Sequence, residues 1–133
     1  MTTLAVLTLV TGGWDTPTPV TAVKNTKATY YGEGLMEIVR RNRGIDLLPG
    51  EVCVAVNRAA DVGRTVWFRY KGFTYRGRAC DCAQKAHYKQ REKRGLGLEV
   101  PYWLARTWGM RGPVPVRLWY APPPGWIEGP RPL

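Results

Sequence analysis

Hydrophobic and polar residues alternate with a period of two in several short stretches of the chain, which is the pattern of β-strands with one buried face. In residues 51–57, three valines alternate with Cys53 and Ala55, so a buried strand is predicted there. Lys71 and Gly72 separate two further β-prone stretches and predict a tight hairpin turn. Strands are predicted at residues 28–31, 51–57, 65–70, 73–76, 78–82, 98–100 and 114–118.

Residues 97–118 predict a strand end, a short helix, a turn and a final strand. Pro101 suits the first helical position, because its missing N–H would be unpaired there anyway. Gly109 allows the chain to leave the helix in a left-handed conformation. Pro115 cannot donate to a sheet ladder, so the last strand is predicted to lie at an edge or at a barrel rim.

Helical spacing is weaker elsewhere and predicts one more helix at residues 35–41. Residues 85–94 are polar and basic, and they form either a solvated helix or a long loop. A chain of many short strands with one or two short helices is typical of an all-β barrel.

Both ends of the chain differ from this pattern. Residues 15–25 are rich in Pro and Thr and predict an extended linker, so that the folded region starts near Lys27. The apolar run at residues 4–10 is too short to span a bilayer, and it fits either a cleaved secretory signal or a retained strand. Three consecutive prolines at 122–124 end the predicted fold, and an extended tail follows.

The charge balance narrows the class of partner. The 133 residues, which predict one domain, contain 20 Lys and Arg against 10 Asp and Glu, a net charge of +10. A charge of this sign favours nucleic acid, a membrane surface or an acidic cell-wall polymer as the partner. The six tryptophans suit sugar or base stacking where they are exposed and core packing where they are not.

Three cysteines, Cys53, Cys80 and Cys82, are candidates for one disulfide. Cys80 and Cys82 are too close in sequence to pair comfortably, so a bridge from Cys53 to one of them is expected, as in an exported protein. Three free thiols in a reducing compartment are the alternative. A zinc site with His87 as a fourth ligand has an unusual spacing, so no metal or other cofactor is predicted.

Seven short motifs, in order, resemble the double-psi β-barrel domain of the rare lipoprotein A and expansin-like family. The resemblance covers about residues 27 to 120, which leaves residues 1–26 and 121–133 as extended terminal segments. It implies an all-β, six-stranded double-psi barrel with one or two short helices. The matching residues are A-T-Y-Y-G at 28–32, C-V-A-V-N at 53–57, G-R-T-V-W-F at 63–68, A-C-D-C-A at 79–83, L-E-V-P at 98–101, A-R-T-W-G-M at 105–110 and G-P-V-P-V at 112–116.

The resemblance also implies a glycan groove that carries acidic residues. Asp81 matches an acidic residue of the family, and Glu99 stands where the family usually has an aspartate. A lytic transglycosylase of this family needs a carboxyl group that acts first as acid and then as base, so Asp81 is the candidate acid and Glu99 its partner. The alternative interpretation is structural: Asp81 accepts backbone N–H groups and Glu99 pairs with an arginine.

The expected function is therefore binding of peptidoglycan in the cell envelope, either with cleavage of the glycan strand or as a non-catalytic expansin-like module. A structural or nucleic-acid-binding protein, for example in a phage particle, is the second alternative, which the net charge favours. The candidate substrate-binding residues are Tyr30, Tyr31, Glu33, His87, Tyr102 and Trp103.

Overall fold

The computed structural model describes residues 12–127, which contain six strands and three α-helices. The apolar run at residues 4–10 and the end of the tail lie outside the described residues. The strands are β1 (Val23–Tyr30), β2 (Glu51–Val56), β3 (Thr65–Tyr70), β4 (Phe73–Cys82), β5 (Leu96–Val100) and β6 (Val114–Trp119). The helices are α1 (Leu35–Arg43), α2 (Tyr88–Lys93) and α3 (Tyr102–Trp108), with short 3₁₀ turns at Ala59–Asp61 and Lys85–His87.

The strands close into a mixed β-barrel in the order β1-β5-β2-β4-β3-β6. Two neighbouring pairs are parallel, β1 with β5 and β2 with β4, and the other neighbours are antiparallel. The predicted six-stranded all-β barrel is confirmed. Lys71 and Gly72, both with positive φ, form the predicted turn between β3 and β4.

The main buried core consists of aliphatic side chains together with Phe68 and Tyr120. Val52, Val54 and Val56 of β2 belong to this core, as their alternation predicts. Cys53 belongs to a second buried cluster that includes Met36 of α1. Because α1 packs against the outer face of β2, that strand is buried on both sides.

Residues 97–118 form the predicted order of elements, with one difference at the start of the helix. Pro101 is extended and immediately precedes α3, so it caps the helix instead of starting it. Gly109 has φ 69° and ends the helix as predicted. Pro115 is exposed and aligns with Lys27 of β1, whereas β3 pairs with β6 only from Arg117 onward. Pro115 therefore has a partner in β1 on one side of the strand, while on the other side the pairing with β3 does not extend as far as the proline.

Residues 15–25 differ from the predicted linker. Strand β1 begins at Val23, and Thr18, with 2 % of its surface exposed, packs against the barrel. The backbone N–H and the hydroxyl of Thr18 donate to the Asp61 carboxylate at 2.9 and 2.5 Å, and Arg64 donates to it at 2.7 Å. A fully buried carboxylate needs such donors, and local composition does not reveal where they will come from.

Asp61→Ala is expected to lower the free energy of unfolding by about 3 kcal/mol, because it leaves the buried donors of Thr18 and part of the Arg64 charge unpaired. Urea denaturation followed by tryptophan fluorescence measures this change. Asp46→Ala, at an exposed position, is the matched control and should change stability by about 0.5 kcal/mol or less. Equal stability of the two variants would contradict the structural role of Asp61.

Candidate functional site

Asp81 and Glu99 lie in one row across three adjacent strands. Ala55 of β2 aligns with Asp81 of β4 on one side and with Glu99 of β5 on the other. Neighbouring strands are about 4.8 Å apart, so the Cα atoms of the two acids are separated by about 10 Å. Ala55, which stands between them, is 2 % exposed and belongs to the buried cluster that contains Met36 and Cys53.

A shift in strand pairing creates this row. Val54 aligns with Ala79, but Ala55, the next residue of β2, aligns with Asp81. Cys80 is therefore an extra residue in β4, as in a β-bulge. Without this shift, Ala55 would align with Cys80, and Asp81 would point to the other face of the sheet, because side chains alternate along a strand.

The two acids line one open groove of about 230 Å³. Its far wall comes from the basic stretch at residues 85–94, which folds into a 3₁₀ turn and helix α2. This wall contributes His87 and Arg91, while Tyr31 lies just beyond the end of β1. The complete lining is Tyr31, Asp81, Cys82, Ala83, Gln84, His87, Arg91 and Glu99.

Asp81 is held by two side-chain donors. The Tyr31 hydroxyl donates to Oδ2 at 2.6 Å, and Nη2 of Arg43 donates to Oδ1 at 2.8 Å. Burial, with the Asp81 hydrogen bond and charge, raises the pKa of Tyr31 above its ordinary value, so Tyr31 stays a donor across the physiological range. Both carboxylate oxygens thus accept hydrogen bonds.

Glu99 has a different environment. Burial raises the pKa of its carboxyl group, and Arg91 and Thr29 act in the opposite direction, while the negative charge of Asp81 adds a smaller increase. Nη1 of Arg91 lies 3.8 Å from Oε1, at the outer limit of an ion pair. The carboxyl group of Glu99 therefore keeps a proton more readily than an ordinary glutamate does.

The structure gathers some predicted site residues and separates others. Tyr31 and His87 line the groove with the acids. Tyr102 and Trp103 line another pocket, of about 270 Å³, beside Met36 and Cys53. Tyr30 contacts Tyr102 with ring centroids 6.2 Å apart, and Glu33 is exposed between β1 and α1. None of these last four residues lines the groove of the two acids.

Arg43 and Arg91 are site residues that sequence reasoning did not single out. Each belongs to a basic run, at residues 40–43 and 85–94, where charge alone indicates a solvated surface. Which arginine of a run reaches a carboxylate depends on how α1 and α2 pack against the barrel.

Cys53 and Cys80 form the disulfide, and Cys82 is free. The expected bridge from Cys53 to one member of the close pair is confirmed. Burial raises the pKa of the Cys82 thiol, which reaches Arg43 at 3.9 Å. Because two of the sulfurs are bonded to each other, the zinc site considered above lacks two of its ligands. Residues 12–127 hold no group of three or more His, Cys, Asp or Glu arranged to bind a metal ion.

Comparison of the chain with protein-family models, with curated proteins and with solved structures finds no match. In the part of the chain that the structure describes, no helix is long and apolar enough to cross a membrane.

Proposed function

We propose that this protein is an envelope protein that binds glycan strands of peptidoglycan in the groove and cleaves them as a lytic transglycosylase, on a double-psi barrel of the rare lipoprotein A type. The observation that carries the proposal is the row of Asp81, Ala55 and Glu99, which brings two carboxyl groups with different partners into one groove. The disulfide is consistent with export to an oxidising compartment.

The environments of the acids suggest a role for each. Glu99 donates its proton to the glycosidic oxygen as the bond from that oxygen to the anomeric carbon breaks. Asp81 stabilises the positive charge that develops on the sugar, since Tyr31 and Arg43 hold it as an acceptor. The sugar's own hydroxyl then attacks the anomeric carbon and returns its proton to Glu99, which gives an anhydro sugar. This assignment reverses the predicted roles, in which Asp81 was the acid.

The basic wall of the groove supports an anionic substrate. Arg91 and His87 line it, and Lys85 is exposed on the adjoining turn. The peptides attached to peptidoglycan carry carboxylates, which a positively charged rim attracts and orients. The alternative in which Glu99 serves only as the partner of Arg91 predicts binding without cleavage.

The test is incubation of purified protein with peptidoglycan sacculi, followed by analysis of soluble products. The wild type is expected to release anhydro-muropeptides, and Asp81→Asn/Glu99→Gln is expected to release none while still sedimenting with the sacculi. Asp46→Asn removes an acid that does not line the groove and should release products at the wild-type rate. Sedimentation without release by the wild type would indicate a non-catalytic wall-binding module. Absence of binding would contradict the proposal altogether.

A further inference from the structure

Two arginines lie side by side on the outer surface of the barrel, away from the acidic groove. Arg69 of β3 and Arg117 of β6 are directly opposite each other in the antiparallel ladder, and both are exposed. Like charges at directly opposed positions destabilise a sheet. An anion bound between the two guanidinium groups would remove this repulsion.

Both guanidinium groups are held in place by neighbouring strands. Nε of Arg69 donates to the Thr74 hydroxyl at 2.8 Å, and Nε of Arg117 donates to Oδ1 of Asn25 at 2.9 Å. The register places these four residues in one row across β1, β6, β3 and β4. The guanidinium carbons also lie 5.3 and 5.9 Å from the centre of the Trp119 ring. Each arginine is therefore oriented through Nε and a shared aromatic face.

The outer Nη groups are left to bind a ligand. Within residues 12–127, no carboxylate lies within ion-pair distance of Arg69 or Arg117. Guanidinium groups present a planar fork of donors that matches the oxygens of a phosphate group. The two guanidinium groups lie one strand spacing apart, so both can donate hydrogen bonds to a single anionic group.

An exposed aromatic ring adjoins Arg69. Phe73, at the start of β4, is 70 % exposed and shares a pocket of about 310 Å³ with Arg69 and Thr74. Residues 123–127 of the C-terminal segment also line this pocket. A second pocket is lined by both arginines. Charge and an exposed aromatic ring therefore occur together on this surface.

We propose that the surface formed by Arg69, Arg117 and Phe73 binds single-stranded nucleic acid. A backbone phosphate accepts hydrogen bonds from the paired guanidinium groups, and a base stacks on the Phe73 ring. The net charge of +10 adds long-range attraction for a polyanion. A base supplies the flat face that an exposed aromatic ring can stack on, whereas a carboxylate polymer does not. The proposal is independent of glycan cleavage, because this surface shares no residue with the groove.

The test is fluorescence anisotropy with a labelled oligothymidylate of about 12 nucleotides, a length within the usual site size of single-strand-binding domains. Arg69→Ala/Arg117→Ala is expected to weaken binding about tenfold and to reduce the slope of log K against log salt by about 0.7, the value for one phosphate contact. Phe73→Ala is expected to weaken binding about tenfold at an unchanged salt slope. Arg69→Lys/Arg117→Lys keeps the charge but loses the fork, so affinity falls while the slope is retained.

The control is Arg94→Ala/Arg111→Ala, which removes the same charge from exposed positions outside both pockets. An equal loss of affinity in both alanine pairs would show diffuse attraction only and would overturn the site. Binding of polyglutamate through the same arginines, without binding of oligothymidylate, would overturn the assignment to nucleic acid. Lack of oligothymidylate binding by the wild type would do so as well. Thermal unfolding of each variant verifies that it is folded.

Discussion

Glu99→Gln is expected to lower the rate of anhydro-muropeptide release about 10³-fold, because glutamine keeps the shape of the side chain but cannot donate a proton to the leaving oxygen. Asp81→Asn is expected to lower the rate about 10²-fold, since it removes a stabilising charge and leaves the acid in place. Release from sacculi under single-turnover conditions measures both rates. Equal rates for Glu99→Gln and the wild type would contradict the assignment of Glu99 as the acid.

The pH profile tests the same assignment independently. A general acid works in its protonated form, so release is expected to fall as pH rises through the pKa of Glu99, which burial raises above the ordinary glutamate value. Arg91 acts to lower this pKa. In Arg91→Gln the alkaline limb of the profile should therefore move to higher pH. If the alkaline limb is at the same pH in Arg91→Gln and in the wild type, a group other than Glu99 is responsible for it.

Loss of the disulfide is expected to lower the free energy of unfolding by about 3.5 kcal/mol, a value from the entropy of closing a loop of this length. The bond joins residues 27 positions apart, Cys53 on β2 and Cys80 on β4. It also lies in the buried cluster beneath α1, the helix that supplies Arg43 to Asp81. Without the bond, residues 53 and 80 can move far apart in the unfolded chain, which raises the conformational entropy of the unfolded state.

Urea denaturation of Cys53→Ala/Cys80→Ala measures the loss, with Cys82→Ala as the control. Cys82 makes no disulfide and is partly exposed, so its replacement should change stability by about 0.5 kcal/mol or less. Treatment of the wild type with a reductant gives a second measurement without substitution. A loss below about 1 kcal/mol by both routes would mean that the bond contributes little beyond the packing of the cluster.

The local elements follow from the sequence because their causes are local. The valines of residues 51–57 alternate at the strand period, and they enter the barrel core as that period requires. Lys71 and Gly72 take the positive φ values of a tight hairpin. Gly109 ends α3 because a left-handed conformation is easy only for glycine. Backbone sterics and side-chain periodicity act within a few residues, so these features can be predicted without knowledge of the fold.

The candidate site depends on contacts between residues far apart in the chain. Asp81 and Glu99 enter one groove only because Cys80 is an extra residue in the pairing of β4 with β2. Arg43 reaches Asp81 across 38 positions. The network of Thr18 with Asp61 likewise converts a proline-rich stretch into a packed segment.

Sequence patterns alone predict the strands, the turns and helices α1 and α3, and they show which acids and cysteines are available for chemistry. The packing of the whole fold determines that burial raises the pKa of Glu99 and which arginine each acid faces. It also places Arg69 and Arg117 opposite each other over Trp119. The physical reason is that strand register and helix packing are set by the burial of the whole core. A shift of one residue exchanges the two faces of a strand, and no short stretch of sequence specifies it.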